Sequence, residues 1–483
     1  MSGHAELRPE LTKGDAAPAT PTNAPLAIGL LVASAFVMIL NETIMSVALP
    51  ALVEDLDITI GTAQWLTSGF LLTMAVVIPI TGFLLQRYTP RQVYLASMTL
   101  FSTGTLISAL APGFPMLMAG RVVQAAGTAV MIPLLMTSVI RLVPVERRGA
   151  TMGTITVVIA VAPAIGPTLS GVILTTLGWR WMFWIVLPIA LLALAAGARW
   201  LRVQSQARPV PLDLLSVALS ALGFGGLVFG LSLVGESARG QALVSPWLPT
   251  LVGAVAMTAF VARQLRLQRV GGALLDLRPL AHRPFVVSMA LVVTGMMSLF
   301  GVLILLPLYL QDVLLVDPFV TGLAVLPGGL VMGLLGPVVG RLYDRIGARR
   351  LIIPGALVLA AVLWVFTTLG ASSPLWEIVA LHVTLVIGLS LMFTPLMTDA
   401  LGQLPGDLDS HGSAIMATLQ QVAGAAGTAL FITVMTLFAT DPTVAADVTG
   451  TRAAFTCAAI IATVALPLTL LVGRSAPVSA QPR

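Results

Sequence analysis

The sequence predicts an all-α polytopic membrane protein with 14 transmembrane helices, built as two six-helix pseudo-symmetric halves plus an inserted helix pair. Three observations carry that expectation. The 483 residues are 57% hydrophobic and 9% charged, with mean hydropathy +0.99, far too little charge to cover a soluble protein of this size. Apolar runs recur at the roughly 20-residue length that crosses a hydrocarbon core of about 30 Å. A short arginine-bearing loop also occurs twice, once in each part of the chain.

Residues 1–25 are polar, rich in Pro, Ala and Thr with mixed charges, and read as a disordered cytoplasmic tail. The first apolar run, Leu26 to Leu52, is too long for a signal-peptide core and has no basic region directly before it, so it reads as a retained span. The predicted spans are 26–50, 62–85, 92–112, 114–139, 150–174, 182–202, 212–234, 246–266, 286–310, 319–341, 350–370, 375–397, 411–437 and 452–473. A second tail follows at 474–483.

Loop charge predicts the orientation. One set of loops carries Arg87, Arg91, Arg141, Arg147, Arg148, Arg202, Arg208, Arg269, Arg278, Arg283, Arg345, Arg349 and Arg350. The other carries Glu54, Asp55, Asp57, Glu236, Asp312, Asp317, Glu377, Asp441 and Asp447 against Arg180, Arg239 and Arg452. The positive-inside rule puts the first set and both termini in the cytoplasm.

The repeat divides the chain. Gly82-Phe83-Leu84-Leu85-Gln86-Arg87-Tyr88-Thr89-Pro90-Arg91 follows span 2, and Gly340-Arg341-Leu342-Tyr343-Asp344-Arg345-Ile346-Gly347-Ala348-Arg349 follows span 10. Leu49-Pro50 with Asp55, and Leu306-Pro307 with Asp312, form a second pair; the two offsets are 258 and 257 residues. Residues 26–202 and 286–473 are therefore expected to be parallel halves and 212–266 an inserted pair. Such halves place a substrate site between them near the midplane.

Several function classes are disfavoured. Lys13 is the only lysine, so no P-loop is available. Cys457 is the only cysteine and cannot form an intrachain disulfide. The net charge of +5 is spread over loops rather than gathered into a nucleic-acid patch. No nucleophile or metal-ligand constellation is evident, so neither an enzyme nor a metal or cofactor is expected.

Two ionisable residues lie deep in spans. Glu42 sits eight residues before Pro50, and Arg121 seven residues after Phe114. A charge at that depth costs about 2.5–3.5 kcal/mol on insertion scales and is usually tolerated only against a protein interior or a watery cavity. The two depths agree to within roughly two ångströms, so Glu42 and Arg121 are expected to pair when Glu42 is ionised. Either the pair carries protons or it is a permanent buried ion pair that fixes the bundle.

Other polar and small positions have readings of their own. In span 5, Ala162, Gly166 and Ser170 form a small-residue ridge, with Gly329, Gly333 and Gly336 of span 10 as the matching face, and Pro163 and Pro167 bend the helix. The loop residues Gly82, Arg87, Arg91, Gly340, Asp344, Arg345, Gly347 and Arg349 read as conformational latches across the seam between halves, the first copy weakened by Gln86 in place of an acid. Trp179, Trp181 and Trp184 read as interfacial anchors and Asp213 as a helix cap. Gln124, His382 and Gln420 are candidates for a substrate cavity, with interhelical hydrogen bonding as the alternative for the last two.

The repeated Gly-x-Leu-x-Asp-Arg-x-Gly-x-Arg loop resembles the signature of the major facilitator superfamily. Leu40-Asn41-Glu42-Thr43-Ile44-Met45-Ser46-Val47-Ala48-Leu49-Pro50 resembles its drug:proton antiporter branch with fourteen spans. Thr62-Ala63-Gln64-Trp65-Leu66-Thr67 is most similar to the lincomycin-resistance subgroup. The resemblance implies a proton-coupled exporter of hydrophobic or cationic drugs, monomeric, in a bacterial inner membrane. It places the proton-coupling residues at Glu42, Asn41 and Arg121, the last within Arg121-Val122-Val123-Gln124-Ala125-Ala126-Gly127. Asn41 stands where the family usually carries Asp. Pro163, Gly166, Pro167 and Gly171 resemble the motif that marks antiporters. An exporter of a lipid or envelope precursor, or an uptake symporter, remains an alternative on the same fold.

Overall fold

The computed structural model describes residues 24–58, 60–201, 213–238, 245–270, 272–440 and 447–472. The expected tails, apart from Ala24 and Pro25, and the side chains of Pro163 and Pro167 lie outside the described set. The helices are α1 (Ala24–Asp55), α2 (Ile60–Val77), α3 (Thr81–Arg87), α4 (Pro90–Ala109), α5 (Phe114–Leu142), α6 (Arg148–Leu177), α7 (Arg180–Trp200), α8 (Leu214–Ala238), α9 (Trp247–Leu267), α10 (Arg283–Leu308), α11 (Pro318–Ile346), α12 (Arg349–Phe366), α13 (Leu375–Gly402), α14 (Asp409–Leu437) and α15 (Val448–Thr469). Twelve helical segments among the described residues are long and apolar enough to cross a membrane; one of them, Trp65–Arg87, runs through α2 and α3. The long helices α4 and α6 are not in that set.

Local sequence sets most boundaries. Pro79 lacks an amide hydrogen, and predicted span 62–85 accordingly becomes two helices joined by a 3-10 turn at Ile78–Ile80. Thr89 caps α4, accepting from the Gln92 amide while the Gln92 side chain accepts from the Thr89 amide, with Pro90 at the first helical position. Gly347 follows α11 with φ +81, a left-handed conformation that a side chain would strain.

Small residues let neighbouring helices approach closely. A Cβ added at Gly104 of α4 would lie 2.4 Å from the amide nitrogen of Gln124 in α5. Within the first group, α1 packs on α5, α6 and α7, and α4 on α5 and α7. In the second, α10 packs on α13, α14 and α15, and α12 on α13 and α15. The two groups meet where α6 packs on α11 and where α3 packs on α14, while α8 packs on α9, α2 and α14.

At the end carrying the acidic loops, Trp179 is not an exposed anchor. It is 4% exposed, and its Nε1 donates to Asp55 Oδ2 at 2.8 Å. Arg180 donates to the same oxygen at 2.9 Å and lies over the Trp179 ring. Trp181 and Trp184 do stay exposed. The Trp179 hydrogen bond, then that of Arg180, holds the Asp55 carboxyl below its usual value. A depressed carboxyl contributes stability above its unfolded pKa of about 3.9, and loses it as pH falls through the lower folded value. Trp179→Phe is therefore expected to lower the melting temperature in detergent more at pH 7 than at pH ~3, read by a pH series of thermal melts. A gap that does not narrow in acid would refute the linkage.

Candidate functional site

Arg121 is fully buried in α5. Its Nη1 donates to Asn41 Oδ1 at 3.2 Å and to Gln124 Oε1 at 2.7 Å, and its Nε reaches the Leu66 carbonyl at 3.5 Å. The guanidinium carbon lies 4.0 Å from the centre of the Phe70 ring. Gln124 Nε2 continues the chain to Thr105 Oγ1 at 2.8 Å. Four helices thus seat one cation, and all of its described hydrogen-bond partners are neutral. Nη2 is buried with no hydrogen-bond partner, an arrangement that costs more for a charged group than for a neutral one.

Asn41 is the α1 side chain in hydrogen-bond contact with Arg121. No ion pair within 4.0 Å joins Glu42 to Arg121 among the described residues; Asn41 makes the contact. Neighbouring residues on a helix point about 100° apart, so equal depth did not fix which side chain faces α5. Glu42 is partly buried and lies within Coulombic reach of the Arg121 charge. Gln124 is not a cavity residue but the buried link between Arg121 and Thr105.

The α1 stretch that carries these residues is fixed from behind by α6. A Cβ built at Gly166 would lie 2.4 Å from Thr43 Oγ1, and Ser170 Oγ donates to the Ile44 carbonyl at 2.9 Å. The Gly166–Ser170 ridge therefore packs on α1 and not on span 10 as expected. Gly171 has open space around it. His382 is buried with Nδ1 unpartnered, and a Cβ at Gly328 would meet its Nε2 at 2.3 Å; Gln420 is buried with Nε2 unpartnered.

The second constellation lies at the end carrying the arginine loops. The Asp344 carboxylate accepts from the Gly149 amide at 2.8 Å and the Ala150 amide at 2.9 Å, the exposed donors of the α6 N-terminus. Beside it the backbones of α6 and α11 nearly touch. A Cβ at Gly336 would lie 2.5 Å from the Gly153 carbonyl oxygen, and one at Gly340 would lie 2.1 Å from that of Gly149.

Of the residues read as latches, Asp344 makes these hydrogen bonds between the two groups. Arg91 donates to the Ala198 carbonyl at the end of α7, inside its own group. Arg345 and Arg349 make no ion pair among the described residues, and Arg87 lies 5.8 Å from the Phe83 and Tyr88 rings. In the first copy, Gln86 Nε2 donates to the Asp407 carbonyl at 3.2 Å, a neutral bond where the second copy has an ionic one. Gly82 packs against His411. Thr137 with Ser413, Thr156 with Thr394, and Arg141 with Asp409 at 3.9 Å add further crossings at this end or toward it.

The profile of the Major Facilitator Superfamily matches residues 31–428. The chain belongs to the Major Facilitator Superfamily. As a superfamily member it is a transporter, not an enzyme. It is 40% identical over 411 residues to the lincomycin resistance protein LmrB of Bacillus subtilis, covering 85% of each chain. It is 42% identical to LmrB of Listeria monocytogenes, covering 85% of this chain and 86% of the relative. Identity is 30% to the multidrug resistance protein B homolog of Mycobacterium tuberculosis, covering 90% and 84%. Among solved structures, the human organic anion transporter MFSD10 superposes with TM-score 0.65 at 16% identity, covering 93% of this chain and 100% of that one. The proton:xylose symporter XylE superposes with TM-score 0.64 at 16% identity, covering 94% and 97%. These two show the superfamily's fold alone.

Proposed function

We propose that this chain is a proton-coupled antiporter that exports hydrophobic or cationic drugs from the cytoplasm by alternating access, with Glu42 carrying the proton. The observation that carries the reading is the Arg121 seat. A fully buried guanidinium, held by neutral partners with Nη2 unpartnered, lies within Coulombic reach of a partly buried carboxylate. Ionised, Glu42 is attracted toward Arg121; protonated, it is released. Glu42 thus alternates between a charged and a neutral state, which gives a cation and a proton mutually exclusive claims on it. The names of the relatives at 30–42% identity support a drug as the cargo.

The helices are read as fourteen spans in two halves, α1–α7 and α10–α15, with α8 and α9 inserted. Placement of α4 and α6 within the packed bundle supports counting them as spans. Loop charge assigns the arginine-bearing end and both termini to the cytoplasm. With the halves joined at that end, the conformation described here is the one closed to the cytoplasm.

The test uses everted membrane vesicles acidified inside by respiration, with the pH gradient followed by a fluorescent amine. Lincomycin is expected to dissipate the gradient in vesicles carrying the protein and not in vesicles without it. No response to lincomycin, ethidium or tetraphenylphosphonium at equal expression would overturn the reading.

A further inference from the structure

The two seams between the halves are built differently at the arginine-loop end. The α6–α11 seam is closed by Asp344 on two amides and by near contact of glycine backbones. At the matching place of the α3–α14 seam the first loop copy contributes the neutral Gln86 bond to the Asp407 carbonyl, with the longer Arg141–Asp409 pair at 3.9 Å beside it on α5 and α14. The inserted pair lies on the α3–α14 side. α8 packs on both α2 and α14, with Phe229 against Trp65 at 5.3 Å between ring centres and Gly225 against Leu72 and Val76.

A continuous run of polar contacts leads from the inserted pair to that seam. Asp213, expected only as a cap, also binds Arg263 of α9 through both carboxylate oxygens, at 2.7 and 2.9 Å, and so clamps α8 to α9. Arg263 and the Ser216 hydroxyl hold its carboxyl down at about 2. The next residue, Gln264, is fully buried; its Nε2 donates to Ser216 Oγ at 2.7 Å, and its Oε1 accepts from the amides of Leu274 and Leu275 at 2.9 and 3.2 Å. Those amides belong to the connection between α9 and α10. Two residues on, the buried Asp276 accepts from the amide and Nε of Arg278, and Arg278 Nη2 reaches Asp407 Oδ2 at 3.4 Å. Asp407 is the residue whose carbonyl receives Gln86 from the other half.

We infer that the inserted pair and its connection to α10 form a strap that closes the α3–α14 seam, substituting through Gln264, Asp276, Arg278 and Asp407 for the acid that the first loop copy lacks. Gln264 fixes the connection to α9. Arg278 fixes the Asp407 turn, so that its carbonyl is presented to Gln86. Gln264 and Arg278 are positioning residues: they act through the chain segments that they bind. The inference rests on the reading that the halves part at this end during transport.

The test measures distances between spin labels in full-length protein in nanodiscs, with Cys457→Ser removing the only native cysteine. One pair, at Tyr88 and Gln403, spans the strapped seam; a second, at Glu146 and Arg350, spans the α6–α11 seam. Gln264→Leu and Arg278→Gln are each expected to lower the ratio of short to long Tyr88–Gln403 distances about threefold or more, the worth of one net hydrogen bond. The Glu146–Arg350 ratio is expected to change by less, and Arg278→Lys to recover most of the loss. Melting temperature is tracked so that general destabilisation, which would move both pairs equally, is recognised. Equal movement of both pairs, or no change at Tyr88–Gln403, overturns the strap. If the wild type shows one distance for each pair at all pH values and with lincomycin, the alternating-access reading falls and the strap with it. If the wild type shows two distances and the variants match it, only the strap falls.

Discussion

Vesicles carrying Glu42→Gln are expected to show no lincomycin-driven collapse of the pH gradient, matching vesicles without the protein, while lincomycin still binds. Glutamine keeps the size of the side chain and stands in for its protonated form. In the wild type, a carboxylate brought to about 4 Å from Arg121 gains on the order of 4 kcal/mol at an effective dielectric near 20, offset by the cost of stripping its water. The two opposing terms let protonation decide where Glu42 sits. With glutamine in place both the charge and the choice are lost. Binding of a lipophilic cation is expected to lose its pH dependence, because no proton competes for the site. Asn41→Asp on the Glu42→Gln background is not expected to restore exchange. Asn41 already touches Arg121 at 3.2 Å and is 2% exposed, so a carboxylate there would form a buried ion pair with no path to solvent. Retained exchange in Glu42→Gln, measured by fluorescence quenching at equal expression, would move the proton to another acid.

Gly336→Val is expected to hold the arginine-loop end open. The added Cβ would stand 2.5 Å from the Gly153 carbonyl oxygen, and the atom it meets is backbone that cannot rotate away. Overpacking of this kind costs about 1–3 kcal/mol, and the cost applies only where α6 and α11 are in contact. An equilibrium between closed and open ends therefore shifts by roughly five- to 150-fold. Thr137 and Ser413, hydrogen-bonded across the halves at 2.7 Å, report the change. A cysteine at Ser413 on the Cys457→Ser background should react with an impermeant maleimide about fivefold or more faster in Gly336→Val. Gly29→Ala is the control, since nothing lies within 4 Å of the added carbon. Equal labelling in both variants would mean that the seam relaxes without opening.

Much of this architecture was legible because membranes leave few choices for backbone hydrogen bonds. Long apolar runs marked an all-helical membrane protein, while the expected count of fourteen spans stands against twelve helical segments long and apolar enough among the described residues. Asp344, one of the residues read as latches, makes a crossing bond. Misreadings arose where a helix face had to be chosen. Glu42 and Asn41 differ by one residue, and only packing of α5 decided for Asn41. The Gly166–Ser170 ridge was recognised as a packing face, but small residues do not say which neighbour they admit. Trp179 carried the composition of an interfacial anchor, and only Asp55, 124 positions away in the chain, turns it inward. The strap had no signal beyond ordinary polar residues near helix ends, since Gln264 and Arg278 gain their roles from chain segments brought together by folding.

The polarity of α4 bears on how the chain is made. Ser97, Ser102, Thr105 and Ser108 are all buried, and α4 falls outside the set of helices apolar enough to cross a membrane alone. Ser97 donates to the Gly127 carbonyl and Thr105 receives Gln124, both partners in α5. An insertion machinery that tested α4 by itself would meet hydroxyls without those partners. Four residues separate α4 from α5, so on the proposed fourteen-span reading the pair would enter the bilayer as a hairpin whose second helix, largely buried in the finished bundle, brings the hydrogen bonds that the first one lacks. On that reading, insertion of α4 is tied to α5, the helix that also holds Arg121.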